Sequence, residues 1–160
     1  MQTIYRDGLT IRQLRNGDTA TVLSLFSRLG ERSRVSRFCG AKPRLSDAEL
    51  AQLARVDGGR HVLVGYVDGD PLPAGIARLV RDGATAEIAV TVADDYQGRG
   101  IGTTLLGALA ADARAAGITR FVATVCSDNP SILAILRKLP GPFELTWRGG
   151  DREVVVGLAA

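Results

Sequence analysis

The stretch Val90-Thr91-Val92-Ala93-Asp94-Asp95-Tyr96-Gln97-Gly98-Arg99-Gly100-Ile101-Gly102 decides how the rest of the chain is read. It joins an apolar strand, Ala86 to Val92, to a helix carrying Ile101, Leu105, Leu106 and Leu109 at helical spacing and closed by Gly117. Glycines on alternate positions between a strand and a helix let backbone N–H groups converge at the positive end of the helix dipole. That arrangement holds phosphate without a lysine. A side chain at Gly98, Gly100 or Gly102 would obstruct the phosphate, whereas a tight turn with no ligand needs only one glycine. Two other phosphate-binding patterns do not fit. A P-loop ends in Gly-Lys-Ser/Thr, but Gly102 is followed by Thr103-Thr104. A dinucleotide fingerprint wants glycine at position 103 in the first β-α-β unit, with an acidic ribose ligand to which Asp128 comes late.

Working outward, Leu9 to Leu14 alternates as a strand. Asp18 can cap a helix with Val22, Leu25, Phe26 and Leu29 on one face, ended by Gly30. Ser46 and Glu49 form a capping box ahead of Leu50, Leu53 and Ala54. Val62 to Val67 and Ile76 to Val80 are strands across the turn Asp68-Gly69-Asp70-Pro71. Arg120 to Val125 is a strand, and Asn129-Pro130 starts a helix that Pro140-Gly141-Pro142 stops. Phe143 to Trp147 and Glu153 to Leu158 make a hairpin across Gly149-Gly150. The predicted order is βααβββαβαββ: an α/β (α+β) fold with a mixed central sheet of about seven strands and four helices on both faces.

The 160 residues suit one domain, 1–160, with one core. No apolar run approaches the ~20 residues of a membrane span, and Met1 to Leu9 lacks a signal-like stretch, so a cytoplasmic protein without a membrane partner is expected. Cys39 and Cys126 have no metal-ligand spacing and read as reduced core thiols. No metal site is expected. His61, the sole histidine, reads as a strand-edge residue. Positive charge is dense from Arg28 to Arg44. That is either a solvated helix-loop surface or a surface meeting an anionic cofactor or acidic protein face. Nucleic acid is not expected, because few aromatics interleave with the basic residues.

The glycine stretch matches the Q/R-x-x-G-x-G/A pattern of the GNAT acetyltransferases, and the strand before it and helix after it agree. Most of the chain also resembles the catalytic domain of bacterial Pat-type protein lysine acetyltransferases. The likeness lies in Ser27-Arg28-Leu29, Glu31-Arg32-Ser33-Arg34, Arg37-Phe38-Cys39-Gly40, Leu45 to Leu50, Ala86 to Val90 and Asn129 to Ala134. The resemblance implies a GNAT fold in which the strands ending at Val92 and Val125 splay apart. Acetyl-CoA would lie in the notch, its pantetheine arm pairing with the main chain at Val90 and Val92. Its pyrophosphate would meet Gln97, Gly98, Arg99, Gly100, Ile101, Gly102 and Thr103. Asn129 would stand against the cofactor arm, or serve as a helix cap.

The implied reaction is transfer of an acetyl group to an amine, a lysine of a partner protein on the closest likeness, by direct attack. A lysine ammonium has a pKa near ~10.4 and must lose a proton. Glu87 lies in an otherwise apolar strand; spacing alone leaves it as general base or as a solvent-facing residue, and the resemblance implies the base. Partial burial in the cleft would raise its pKa and make it a better base. The Val90 amide would hold the thioester oxygen. Many GNAT enzymes protonate the departing thiolate with a tyrosine of the last helix. Pro130 to Leu139 has none, leaving Ser127, Cys126 or water. A GNAT enzyme acting on a small amine and a non-catalytic acyl-CoA-binding module are the alternatives. Either a monomer or a homodimer is compatible with the sequence.

Overall fold

The computed structural model describes residues 3–126 and 129–159. Among them, the strands are β1 (Ile4–Arg6), β2 (Leu9–Gln13), β3 (Arg60–Val67), β4 (Gly75–Asp82), β5 (Thr85–Val92), β6 (Arg120–Val125), β7 (Phe143–Arg148) and β8 (Asp151–Gly157). The helices are α1 (Thr19–Ser27), α2 (Glu31–Phe38), α3 (Asp47–Leu53), α4 (Ile101–Ala115) and α5 (Pro130–Arg137). A 3₁₀ turn, Asp94–Tyr96, leads from β5 to the glycine stretch.

All eight strands form one sheet in the order β1-β2-β3-β4-β5-β6-β8-β7. Neighbours run antiparallel except β5 and β6, which the α4 crossover makes parallel. The two faces carry separate apolar clusters. Val62, Val64 and Ile76 pack under Val22, Leu25 and Phe26 of α1 and Leu50 and Leu53 of α3. Leu63, Ala77, Leu79, Ile88, Phe121, Val154 and Val156 pack under α4 and α5 through Leu105, Leu109, Leu133 and Leu136. Leu105 is fully buried, which is worth roughly 2–3 kcal/mol of apolar burial. It fits because Gly75 faces it: a Cβ there would lie 2.8 Å from Leu105 Cδ1.

Local chemistry sets the helix ends. The Asp18 carboxylate accepts from Thr21 N at 3.0 Å. Ser46 and Glu49 make both bonds of the capping box. Beyond α4, Gly117 takes φ +82° and Ile118 N donates back to Ala113 O at 2.9 Å.

Four expectations are corrected. The sheet has an eighth strand, β1, joined to β2 through Asp7 (φ +50°) and Gly8 (φ +80°). The Asp-Gly signal was present, but three residues carry too little alternation to read. There is a fifth helix, α2, with no fully buried apolar residue and therefore no apolar stripe. Gly30 does not end α1, which stops at Ser27; it is the N-cap of α2 with an ordinary φ of −71°. Finally, Cys39 and Cys126 are joined in a disulfide, with Cα atoms 5.4 Å apart, rather than standing as thiols. They are 87 residues apart in sequence, so spacing could not reveal that the end of α2 meets the end of β6.

Candidate functional site

The β5–β6 ladder runs only from Thr85↔Arg120 to Glu87↔Val122. β5 continues to Val92 and β6 to Val125, the latter still paired with β8 as far as Arg152. The two parallel strands therefore part after Glu87 and leave a notch. Ala93 N donates to Ala74 O on the β4 side at 2.8 Å. Main-chain groups alternate along a strand, so those of Val90 and Val92 point the other way, into the notch. The Val92 carbonyl is taken by Gln97 Nε2 at 3.1 Å. Val90, beyond the end of the ladder, offers its N–H and C=O to whatever enters.

The glycine stretch lies past Val92, at the start of α4. Gly98 and Gly100 take φ +76° and +80°, the left-handed region, and a Cβ on either would meet nothing within 4 Å. Backbone conformation, with open space before it, thus calls for glycine at both. Gly102 differs from expectation: its Cβ would lie 2.9 Å from Ile135 Cδ1 and 3.4 Å from Val92 Cγ2. It lets α4 start close against β5 and α5. The Ile101 side chain is buried in the core, so only its main chain faces the loop. Thr103 is half-buried on the first turn. No side chain caps α4, and its first turn holds no acidic residue. The first N–H groups of this 15-residue helix thus keep their donors and the positive end of its dipole.

A polar scaffold holds this loop. Asp70 Oδ2 accepts from Tyr96 OH at 2.7 Å and from Arg28 Nη2 at 2.8 Å, while Asp70 Oδ1 accepts from Leu72 N at 2.9 Å. The Tyr96 hydroxyl, the Leu72 amide and the Arg28 guanidinium together hold the Asp70 carboxyl down to about 2. Arg28 and Arg99 lie 5.1 and 5.3 Å from the Tyr96 ring centroid. Asp94 accepts from Gly30 N at 3.0 Å and from Ser33 Oγ at 2.6 Å, fixing the start of α2 to the turn. Gln97 Nε2 also reaches Ser33 Oγ at 3.2 Å. Sequence reasoning missed Asp70, Tyr96, Arg28 and Asp94 as a unit. Asp70 was legible only as a turn residue and Arg28 only as surface charge.

Glu87 is the last paired residue before the strands part. It shares the α1–α3 face of the sheet with Ala89 and Thr91, as its partners Val80 and Val122 require. It is exposed, not partly buried as expected. Arg37 of α2 feels its charge: burial lowers the Arg37 guanidinium pKa, and the Glu87 carboxylate offsets that in part. Asn129 caps α5, its Oδ1 accepting from Ile132 N at 3.3 Å. Ser127 and Asp128 lie outside the described residues. His61 is held by Asp112 at 2.7 Å and Gln13 at 3.2 Å, as a strand residue would be. Among the described residues no cluster of His, Cys, Asp or Glu could hold a metal, and no helix is long and apolar enough to cross a membrane.

The profile of the Acetyltransferase (GNAT) family matches residues 26–139, a span that contains the notch, the glycine stretch and Glu87. The chain belongs to the GNAT acetyltransferase family. It is 40% identical over 113 residues to the acetyltransferase Pat of Mycolicibacterium smegmatis, a match covering 68% of this chain and 33% of that protein. It is 32% identical over 124 residues to the acetyltransferase PA5475 of Pseudomonas aeruginosa, covering 74% and 67%. This GNAT chain thus spans about a third of the Pat protein it resembles. Among solved structures, the GNAT domain of S. lividans PAT superposes with a TM-score of 0.84 at 26% identity, over 94% of this chain and 90% of that one. The GNAT fold expected from the sequence is present.

The donor set suits acetyl-CoA in kind. The open Val90 edge matches the amides of a pantetheine arm, and the uncapped α4 terminus behind two left-handed glycines matches a pyrophosphate.

Proposed function

We propose that this chain is an acetyl-CoA-dependent N-acetyltransferase that acetylates a lysine of a partner protein. The observation that carries the reading is the open main-chain edge at Val90, three residues along β5 from the exposed carboxylate of Glu87. Acetyl-CoA supplies a thioester whose thiolate, with a conjugate pKa near ~8.5, is a fair leaving group. Val90 and Val92 bind the pantetheine arm. Gly98, Arg99, Gly100, Ile101, Gly102 and Thr103 bind the pyrophosphate through main-chain N–H groups, and Gln97 acts by holding the Val92 carbonyl and α2. Asn129 borders the arm at the start of α5.

Glu87 acts as the general base. It takes a proton from the lysine ammonium, directly or through a water, and frees the lone pair for attack. The Val90 N–H donates to the thioester oxygen as negative charge gathers on it. Being exposed, Glu87 needs no large conformational change to meet a side chain arriving from solvent. The likeness to Pat supports a protein acceptor, and the position of Glu87 supports the base.

The test is thiol release from acetyl-CoA with lysine peptides, folded proteins and a panel of small amines. Glu87→Gln should keep CoA affinity in calorimetry and lose turnover by about 10²-fold or more. Unchanged turnover at neutral pH would remove Glu87 from the role.

A further inference from the structure

On the α1–α3 face, a small cavity is bounded by Leu29, Arg37, Phe38, Ile76, Arg78 and Thr91 among other, apolar residues. Two guanidiniums share it, and no Asp or Glu lines it. Among the described residues neither Arg37 nor Arg78 makes a hydrogen bond or ion pair with a carboxylate. Their neighbours behave differently. Arg28 is paired with Asp70, and Arg34 donates to the Pro43 and Phe26 carbonyls. Arg78 is pushed down to about 9, by burial first and by the charge of Arg37 next. The Glu87 charge offsets the burial of Arg37 only in part; two like charges gathered in a partly dry cavity repel and lose hydration, and a further anion seated between them reverses both effects.

We propose that Arg37 and Arg78 bind a carboxylate belonging to the acceptor, so that the chain selects lysines with an Asp or Glu one or two positions away. This rests on the lysine reading above and narrows it. The register supports the reach. Arg78 lies opposite Ala89, and Glu87 opposite Val80, so Arg78 and Glu87 are diagonal neighbours on one face, about 7–8 Å apart at Cα. An extended peptide advances about 3.3–3.6 Å per residue, so a lysine at Glu87 brings an adjacent acidic side chain to the arginine pair. The guanidinium fork matches a carboxylate with two parallel hydrogen bonds.

The experiment compares two lysine peptides, identical but for Glu or Gln next to the lysine, by thiol release with the full chain. The acidic peptide should show a KM lower by about tenfold at similar kcat. Arg78→Gln should erase that difference while leaving turnover of the Gln peptide and CoA affinity unchanged. Arg37→Gln should erase the preference as well. Equal KM values in the unmodified chain, or a preference surviving both substitutions, would overturn the proposal. If CoA binds but neither peptide is acetylated, the lysine reading itself fails and takes this inference with it.

Discussion

Gly100 and Gly102 are two positions apart and are glycine for different reasons. Gly100 sits at φ +80° with open space beyond, so Gly100→Ala meets no atom but must occupy a left-handed conformation. It should cost about 1–2 kcal/mol, visible as a lower urea midpoint, and should weaken CoA binding because the N–H groups turn. Gly102→Ala keeps the helical backbone and must push the Ile135 side chain aside. It should alter CoA affinity less than Gly100→Ala does. Asp70 makes a pH prediction. Its folded pKa, about 2, lies below the ordinary 3.8. The stability it lends is therefore present above about pH 4 and drains away as pH falls toward 2. Asp70→Asn should be less stable at pH 7, and the gap should narrow in acid, as urea melts at pH 7 and 3 would show.

At the scale of elements, α2 is made stable by what it touches rather than by its own sequence. It has no fully buried apolar residue and no side-chain cap. Asp94 holds its first turn, and the Cys39–Cys126 disulfide ties its end to β6, across the notch from β5. The bond closes a loop of 87 residues, so reduction should release chain entropy worth up to about 4–5 kcal/mol. A lower melting temperature in reductant and two titratable thiols appearing on reduction would check it. α4 is the opposite case. Its Leu105, Leu106 and Leu109 are each buried in the main cluster. Leu105→Ala should cost about 2–5 kcal/mol by the cavity it leaves, read as a shift in denaturant midpoint with the far-UV spectrum retained.

Across the whole molecule, the elements legible beforehand were those whose evidence is local. The α4 stripe, the Ser46–Glu49 box, the Asn129-Pro130 start and the Gly149-Gly150 hairpin all reappear. Each depends on residues within one or two turns of one another, so their pattern survives without knowledge of the fold. The glycine stretch likewise pointed to the loop before α4, and family membership bears out the fold that it implied. By contrast, β1, α2, the disulfide, the Arg28–Asp70–Tyr96 scaffold and the pairing of Arg37 with Arg78 each join segments that are polar or short. Local periodicity carries no trace of them. Only the tertiary structure decided where β5 and β6 part: their ladder ends at Glu87↔Val122, while the other edge of β6 stays paired with β8 through Val125, and those partners are distant in sequence. The sequence by itself determined which backbone could turn at Gly98 and Gly100, since φ preference belongs to the residue. Which charges meet at the notch belongs to distance, and distance exists only after folding.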